Sequence, residues 1–350
     1  MIRKISHSIL ISLLFFSCEN ALIEESQEPS NEEVFNYMWN TVDQKYSFFE
    51  DKNIDWDSAY RVFRPRVRSA DNILELYDVL AQSLFVLKDG HVNLSAGIDF
   101  SRNWQWYLDY PPNFNWDIIE RNYLVPSKDY QISGPIHNTI IDDVGYMYYP
   151  SFSSNVSTSL MNYIIQKFET GNFVCGDTCA VEGIIIDIRN NGGGSVSNAF
   201  TIANRFAGEQ LKVADWYYKD GPAHDDFSEP VEKFLSFEGN EDYRFNKPVY
   251  VLTNRSSYSA ANFFASMMSF LPQVTILGDV TGGGGGLPIN TELPNGWLIR
   301  FSSTRTIDAA GNNIEFGVQP DIRVDLDSTD LFNGKDTMIE RAIELIKATN

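Results

Sequence analysis

The serine at position 259 lies at a predicted strand-to-helix turn, where its hydroxyl group and nearby backbone N–H groups can act together. The apolar run 249–253 ends shortly before it, and the helix-like run 263–270 follows. The first N–H groups of a helix have no partner inside the helix and carry partial positive charge. Ser259 can therefore attack a carbonyl carbon while the N–H of Ala260 stabilises the oxyanion. Taken alone, this segment is more typical of a serine that caps a helix.

A histidine is the simplest general base for such a serine near neutral pH. His91 lies in the turn Asp89-Gly-His91, at the end of a helix-like stretch. A single histidine is by default structural, so the surrounding motif decides its interpretation. The four histidines of the chain are His7, His91, His137 and His224.

Two further segments have the composition of a catalytic loop. The strand-like run 183–188 leads into Asp187-Ile-Arg-Asn-Asn-Gly-Gly-Gly194. Glycine lets backbone N–H groups approach a ligand, so an oxyanion donor can come from this loop. A phosphate-binding loop is disfavoured because no Gly-Lys-Ser/Thr ending follows. The second segment, Glu315-Phe-Gly-Val-Gln-Pro-Asp321, places a carboxylate at a turn, where a plain surface glutamate is the alternative.

The overall composition predicts a folded, acidic protein and excludes several partners. The chain has 350 residues, 43% of them hydrophobic, and a net charge of −20. Such acidity argues against nucleic acid and against electrostatic attraction to anionic lipid. We expect no metal, because the histidines, cysteines and carboxylates lack metal-ligand spacing, and we expect no organic cofactor.

The beginning of the sequence has the pattern of an exported lipoprotein. A basic start, 1–4, precedes a short apolar stretch, 9–16, and then Cys18. The stretch is too short to span a bilayer and indicates a signal peptide over 1–17, with Cys18 as the lipidated residue. Residues 18–30 would form an acidic tether. We therefore expect a lipid-anchored protein of the bacterial cell envelope; an ordinary signal peptide is the alternative.

Two more cysteines, Cys175 and Cys179, lie four positions apart. In an exported protein they can close a small disulfide loop. Their spacing differs from the Cys-x-x-Cys of redox sites, and a zinc site would need two more ligands.

The elements that must position these residues fall into three stretches. Residues 31–90 contain three helix-like patterns, at 34–49, 57–67 and 71–87. Residues 91–140 form an aromatic-rich connecting segment, expected to pack on the core, with a substrate-facing wall as the alternative. From 141 to 350 strands alternate with helices, which predicts an α/β domain. The predicted strands are 144–149, 183–188, 248–253, 274–277 and 297–302, and the predicted helices are 157–168, 197–206, 259–270 and 337–347.

Taken together, the motifs resemble those of the C-terminal processing, or tail-specific, serine peptidases, a family that includes the tricorn core protease. The resemblance covers roughly residues 30–345 and implies a crotonase/ClpP-like α/β core with an N-terminal helical subdomain. It also implies a polypeptide substrate. The motifs, in order, are Asp89-Gly-His91, Asp187-x-Arg-Asn-Asn-Gly-Gly-Gly194, Asn254-x-x-x-x-Ser259-Ala, Gly278-x-x-Thr281-Gly and Gly317-Val-x-Pro-Asp321.

The family that the chain resembles has two catalytic variants. In one, a lysine about 25 residues after the serine is the base, but this chain has Gly284 there. In the tricorn-like variant, an upstream histidine is the base and a downstream glutamate completes the set; His91 and Glu315 match those positions. That variant also has a serine directly before the histidine, where this chain has Gly90.

The roles that the resemblance implies are therefore specific. Ser259 is the nucleophile, and His91 takes its proton and later protonates the leaving amine. The backbone N–H groups of Gly193 and Ala260 hold the oxyanion. Glu315 helps to orient the polar network.

The resemblance also bears on substrate capture. Residues 92–143 are too few for the PDZ domain that most processing peptidases carry, so we expect capture by the cleft itself, with the aromatic segment 104–123 and the loop 217–245 as candidates. Two other functions stay open: a peptidase fold that has lost its chemistry and binds peptide or apolar ligands, and a cell-surface scaffold. The substrate, the cleavage preference and the oligomeric state are not specified by the sequence.

Overall fold

The computed structural model describes residues 28–102, 104–170, 180–237 and 239–349. The predicted signal peptide with Cys18, and the cysteines Cys175 and Cys179, lie outside the described residues. None of the helices in the described ranges is long and apolar enough to cross a membrane.

The structure is mixed α/β and begins with helices. The helices are α1 (Asn31–Lys45), α2 (Trp56–Arg68), α3 (Ile73–Phe85), α4 (Trp116–Ile119), α5 (Thr158–Thr170), α6 (Val196–Ala203), α7 (Ala260–Met268), α8 (Ser328–Phe332) and α9 (Thr337–Thr349). The strands are β1 (Asn93–Ser95), β2 (Gln131–Ser133), β3 (Ile136–Ile141), β4 (Val144–Tyr148), β5 (Gly183–Asp187), β6 (Leu211–Tyr218), β7 (Val231–Leu235), β8 (Val249–Thr253), β9 (Val274–Gly278), β10 (Pro288–Glu292), β11 (Leu298–Ser302), β12 (Thr304–Asp308) and β13 (Ile322–Arg323).

The N-terminal helices form a hydrophobic unit with a small sheet. A capping box starts α1, in which Ser30 and Glu33 satisfy each other's backbone N–H groups. The helix α2 continues past the exposed Pro65 to Arg68, although we expected a disturbance there. The apolar faces of α1 to α3 pack on the antiparallel sheet β1-β11-β10. The helical unit therefore shares its core with strands from the far end of the chain.

A mixed seven-stranded sheet forms the centre of the remaining chain. Its strand order is β13-β9-β8-β5-β4-β3-β2, with parallel pairing from β4 to β13 and antiparallel pairing from β2 to β4. The central strand β5 is apolar on both faces, as its sequence predicts. Ile184 and Ile186 pack with α5, α6 and α7, whereas Ile185 packs with α9 on the opposite face. The prediction of an α/β core behind a helical N-terminal region is confirmed.

Parallel pairing of β5 with β8 places the two motif loops side by side. The loop after β5 carries the three glycines, and the loop after β8 carries Ser259. In open α/β sheets, ligands bind outside the carboxyl ends of the strands, where such loops meet. The topology therefore brings the predicted catalytic loops together at one edge.

The aromatic connecting segment has two different parts. Phe114 stacks on Tyr148 of the central sheet and Trp116 packs against it at a tilt, as expected of packing aromatics. Trp106, in the short helical turn Trp106–Asp109, instead covers Tyr258, with ring centroids 4.2 Å apart. The first part of the segment thus lies over the loop that carries Ser259.

A third sheet, β12-β6-β7, was not predicted. The segment 217–245, which we expected to be a loop, contains β7 and the end of β6. Strand β7 is mostly exposed and reads Val-Glu-Lys-Phe-Leu, so its sequence lacks the buried apolar run that marked the central strands.

Candidate active site

Ser259 occupies a strained turn between β8 and α7. Its φ of 57° is unusual for a residue with a side chain and is held by neighbouring hydrogen bonds. The Ser259 N–H donates to the carbonyl of Gly283 at 2.9 Å, and the Tyr258 N–H donates to that of Asn191 at 3.0 Å. The Ser259 hydroxyl makes no capping bond to α7. The side chain is therefore free to point elsewhere.

The Ser259 hydroxyl meets His91 across 168 positions of sequence. Ser259 Oγ lies 2.9 Å from His91 Nε2. Burial lowers the pKa of His91 to about 4, although Asp89 acts in the opposite direction. The imidazole is therefore neutral at pH 7. With its proton on Nδ1, Nε2 can accept the serine proton.

The other side of the imidazole faces two hydroxyl groups and a carboxylate. His91 Nδ1 lies 3.3 Å from Tyr258 Oη and 3.4 Å from Ser302 Oγ. Both hydroxyls also donate to Asp89, at 3.3 and 3.0 Å. Asp89 itself accepts the His91 backbone N–H at 2.7 Å. The imidazole is thus oriented by a carboxylate that acts largely through intervening hydroxyls.

Asp89 stays charged although it is fully buried. Burial acts to raise its pKa, but Lys52, His91 and hydrogen bonds outweigh burial and lower it. Asp89 belongs to a sequence motif that does not by itself indicate a role for it. Lys52 was not predicted, because no local pattern marks this loop residue.

Glu315 contacts Lys52 and the glycine-rich loop. One carboxylate oxygen pairs with Lys52 Nζ at 2.7 Å, and the other accepts the Gly285 N–H at 2.8 Å. Lys52 Nζ lies 3.9 Å from Asp89. Burial, and secondly Asp89, raise the pKa of Glu315 to about 7 against the effect of Lys52. The order of the network is therefore Glu315, Lys52, Asp89 and His91.

Tyr258 fills the space that two departures from the family motifs leave open. A side chain at Gly90 would overlap the ring of Trp106, and its Cβ would lie 2.9 Å from Tyr258 Oη. A side chain at Gly284 would overlap the ring of Tyr258 itself. The Tyr258 hydroxyl thus stands near the place where a serine at position 90 would put its own.

The two predicted oxyanion donors lie close together but differ in availability. A Cβ on Gly193 would lie 2.7 Å from Ser259 Cβ and 2.9 Å from the Ala260 nitrogen. The Gly193 N–H donates to Asn191 Oδ1 at 2.9 Å. Within the described part of the chain, the Ala260 N–H has no hydrogen-bond acceptor. The Ala260 N–H is therefore available to bind an oxyanion, whereas the Gly193 N–H is already hydrogen-bonded to Asn191.

A buried charge cluster supports the loop after β5. The guanidinium of Arg189 pairs with Asp187 at 2.6 Å and with Asp336 at 3.0 Å. A hydrogen bond of 2.8 Å between the side chains of Asn190 and Asn254 connects the two motif loops. The conspicuous Asp-x-Arg-Asn-Asn motif thus fixes loop geometry.

Two cavities flank the serine and histidine, and a third, of about 950 Å³, lies against Lys52, Glu315 and Trp106. One of about 820 Å³ is lined by Gly90, Asn93, Gly192 and Tyr258 together with the aromatic segment. The other, of about 20 Å³, lies against Ser259 and Ala260 and has apolar walls. Across the described ranges, no group of three or more His, Cys, Asp or Glu side chains could hold a metal ion.

Comparison with known proteins defines the class of this protein and then its family. The model of Peptidase family S41 matches residues 143–324, and that of the Tricorn protease C1 domain matches residues 27–85. The protein is a serine-type peptidase. It belongs to peptidase family S41.

The individual relatives agree with this assignment. A crystal structure of a candidate peptidase from Parabacteroides merdae ATCC 43184 is 42% identical, with a TM-score of 0.82 over 91% of this chain and 97% of that one. Carboxy-terminal processing protease CtpA of Bacillus subtilis is 25% identical over 53% of this chain, but over only 36% of its own length. The chloroplastic C-terminal processing peptidase of Tetradesmus obliquus is 26% identical over 52% of this chain and 35% of its own length.

More distant structures share the fold. Mature CPAF complexed with lactacystin is 14% identical, with a TM-score of 0.66 over 91% of this chain. At this identity the likeness concerns the fold alone.

Proposed function

We propose that the protein is a serine endopeptidase of the C-terminal processing type, with Ser259 as nucleophile and His91 as base. The observation that carries this proposal is the 2.9 Å contact between Ser259 Oγ and the Nε2 of a buried His91 that is neutral at pH 7. The curated relatives named as processing peptidases support the reaction class, although the matched region covers about a third of their lengths.

The geometry supports an acyl-enzyme mechanism. Ser259 Oγ attacks the scissile carbonyl carbon while His91 Nε2 takes the hydroxyl proton. The imidazolium then donates this proton to the leaving amine as the C–N bond breaks. A water molecule, deprotonated by His91, attacks the carbonyl carbon of the acyl-enzyme, and His91 returns the proton to Ser259 Oγ as the ester bond breaks. Asp89, supported by Lys52 and Glu315, stabilises the imidazolium through the Tyr258 and Ser302 hydroxyls.

We propose the Ala260 and Gly193 N–H groups as the oxyanion donors. The Ala260 N–H is available at the start of α7, where the helix dipole favours negative charge. The Gly193 N–H must leave Asn191 Oδ1 to join it. A substrate oxyanion, being a stronger acceptor than an amide oxygen, favours this exchange.

The small cavity beside Ser259 bears on which residue precedes the scissile bond. Its volume of about 20 Å³ has room for little more than one water molecule or a methyl group. Phe263 and Trp216 form part of its apolar wall. We therefore expect alanine to be preferred over leucine or phenylalanine at this substrate position.

Labelling with a fluorophosphonate tests the proposed nucleophile and base. The wild-type protein should be labelled and Ser259→Ala should not. His91→Ala should be labelled at about one thousandth of the wild-type rate or below. Ser195→Ala, at an exposed serine beside the glycine loop, is the matched control and should label normally. Labelling that persists in Ser259→Ala would exclude this nucleophile.

The alternative is a catalytically weak protein of this fold that binds peptide or apolar ligands. The engaged Gly193 N–H favours it, because a site with a single oxyanion donor loses on the order of a hundredfold in rate. A folded wild-type protein that resists labelling but binds peptides would support this alternative.

We also propose that the mature protein is anchored by lipid at Cys18 in the bacterial envelope. The apolar run followed by Cys18 supports this proposal. Expression in bacteria fed an alkyne-tagged fatty acid should label the wild type and not Cys18→Ala.

A further inference from the structure

The cavity of about 950 Å³ against Lys52, called the Lys52 cavity below, is separate from the reacting groups. Neither Ser259 nor His91 is among the described residues that line it. Side chains of the segment 104–110 line both this cavity and the cavity of about 820 Å³ beside His91, so this segment divides the two. Ligand sites for small molecules have volumes of this size. The Lys52 cavity can therefore hold a small molecule that does not reach the serine.

The wall of the Lys52 cavity is rich in aromatic side chains. Trp104 and Trp106 line it on the side of the dividing segment. Phe85 and Phe316 line it as well, although 44% and 56% of these residues are exposed to solvent. Single exposed aromatic residues are ordinary on a protein surface, but several around one cavity are typical of a ligand site. The wall therefore favours a ligand with an aromatic ring.

The three carboxylates of the cavity wall already have partners within the protein. Asp51 lies 3.3 Å from Arg305, and Asp55 accepts a backbone N–H at the start of α2 at 2.8 Å. Glu315 pairs with Lys52 at 2.7 Å. A cationic ligand would have to compete with these partners, so the carboxylates do not select for one.

Two cationic side chains of the same wall remain available to a ligand. The guanidinium carbon of Arg255 lies 4.0 Å from the centroid of the Tyr110 ring, and its side-chain N–H groups donate no hydrogen bond to any described residue. Its Nε lies 3.4 Å from Asp279, which also pairs with Arg323. Lys88 is exposed, and its ammonium group forms no ion pair with a carboxylate of the described ranges. The available charge of the cavity is therefore positive.

We propose that the Lys52 cavity is an effector site, which binds a small molecule that carries an aromatic ring and one negative charge. The Arg255 guanidinium and the Lys88 ammonium group bind the anionic group through charge-assisted hydrogen bonds. The aromatic wall covers the ring of the ligand. Binding of this ligand is independent of the proposed peptidase function, whereas its effect on the reaction rate rests on that function.

The cavity wall is connected to the catalytic histidine by two routes. Trp106 packs on Tyr258 with ring centroids 4.2 Å apart, and the Tyr258 hydroxyl lies 3.3 Å from His91 Nδ1. The ion pair of Lys52 with Glu315, which supports the imidazole through the buried carboxylate network, is the second route. A ligand in the cavity holds Trp106 against Tyr258 and excludes water from the ion pair, which strengthens it. We therefore expect the ligand to activate the site.

Calorimetric titration with three naphthalene compounds tests the chemistry of the ligand. The compounds are 2-naphthoate, the neutral 2-naphthylmethanol and the cationic 2-naphthylmethylamine, which share one ring system and differ in charge. The wild-type protein should bind the acid about tenfold or more tightly than the alcohol, as a charge-assisted pair predicts, and the amine should bind most weakly. Equal affinity for the acid and the alcohol would overturn the inference.

Substitution of the arginines distinguishes the Lys52 cavity from the cavity beside His91. Arg255→Gln should reduce the ratio of the acid and alcohol affinities to about twofold or less. Lys88→Gln, at an exposed lysine whose loss does not threaten folding, should lower the ratio about threefold. Arg300→Gln, which alters only the cavity beside His91, is the matched control and should keep the full ratio. A ratio that depends on Arg300 and not on Arg255 would place the ligand in the catalytic cleft and reject the site.

Fluorophosphonate labelling of Ser259 tests the effector role. Saturating 2-naphthoate should accelerate labelling of the wild type about fivefold, as coupling between two sites of ordinary strength predicts. Arg255→Gln should lose this acceleration. A rate that stays unchanged or falls would reject the effector role. An unlabelled protein that still prefers the acid through Arg255 would reject the proposed peptidase and support the ligand site.

Discussion

At the scale of single residues, Tyr258 explains how the site tolerates glycine at positions 90 and 284. Its ring occupies the space next to Gly284, and its hydroxyl reaches both His91 and Asp89. A serine at position 90 would collide with Trp106, so the two arrangements exclude each other. Glycine at position 90 therefore goes together with a hydroxyl group that Tyr258 supplies from another loop.

Removal of that hydroxyl should slow the reaction without unfolding the protein. Tyr258→Phe keeps the ring and loses the contacts to His91 Nδ1 and Asp89, so the fluorophosphonate labelling rate should fall about tenfold. Tyr107→Phe, at another tyrosine that lines the cavity of about 820 Å³, is the matched control and should leave the rate unchanged. Equal rates for Tyr258→Phe and the wild type would show that the hydroxyl does not position the imidazole.

The low pKa of His91 predicts an unusually acid-tolerant site. The base is active when neutral, so the labelling rate should stay level from pH 8 to pH 6 and fall as the pH drops through about 4. Circular dichroism at each pH would confirm that the protein stays folded. A fall centred near the ordinary histidine value of about 6.5 would contradict the effect of burial.

Sequence patterns identified the residues that carry local motifs and missed those that do not. Ser259 and His91 stand in recognisable turns, and the structure brings them into contact. Lys52 and Tyr258 acquire their roles only through contacts between distant segments. The sequence also could not show that Glu315 acts on the site through Lys52.

At the scale of elements, the turn between β8 and α7 stores strain at the proposed nucleophile. A residue with a side chain at the φ of Ser259 costs of order 1–3 kcal/mol, which the contacts with Gly283 and Asn191 must offset. The strain projects the hydroxyl towards His91 instead of towards the helix.

Replacement of Ser259 by glycine should therefore stabilise the fold relative to alanine. Both variants lack the hydroxyl, but only glycine adopts this backbone without strain, so Ser259→Gly should unfold about 1 kcal/mol less readily than Ser259→Ala. Urea denaturation of the two variants measures the difference. Equal midpoints would show that the turn is unstrained.

Elements were predictable where their burial was complete. The apolar runs of β5 and β8 identify strands buried on both faces, and the helices around them follow from periodic patterns. Strand β10, Pro-Ile-Asn-Thr-Glu, and the exposed β7 have no such run. They depend on neighbours distant in sequence, which local periodicity does not show.

At the scale of the whole molecule, the site lies between two hydrophobic units. The N-terminal unit supplies Lys52, Asp89 and His91, whereas the central α/β unit supplies Ser259 and Glu315. The ion pair of Lys52 with Glu315 therefore joins the two units as well as supporting the imidazole.

Removal of the lysine charge should destabilise the protein in a pH-dependent way. Lys52→Met leaves Asp89 and Glu315 buried without their cation, so the free energy of unfolding at pH 8 should fall by about 3 kcal/mol. The loss should shrink as the pH falls from 8 towards 7, because the pKa of Glu315, raised to about 7 with Lys52 present, is higher still without it, so the carboxyl of the variant becomes neutral first. Lys45→Met, at an exposed lysine, is the matched control for urea unfolding at pH 8 and pH 6. A loss that is independent of pH would contradict this account.

The pairing of β1 with β11 also sets the order in which the molecule becomes complete. Ser302, at the end of β11, contacts both Asp89 and His91, and Glu315 follows still later in the chain. A polypeptide that is still leaving the ribosome already carries His91 and, later, Ser259, but it lacks the strand that closes the N-terminal sheet. The growing chain therefore cannot complete the hydrogen-bond network of Asp89 and His91 before β11 has been synthesised.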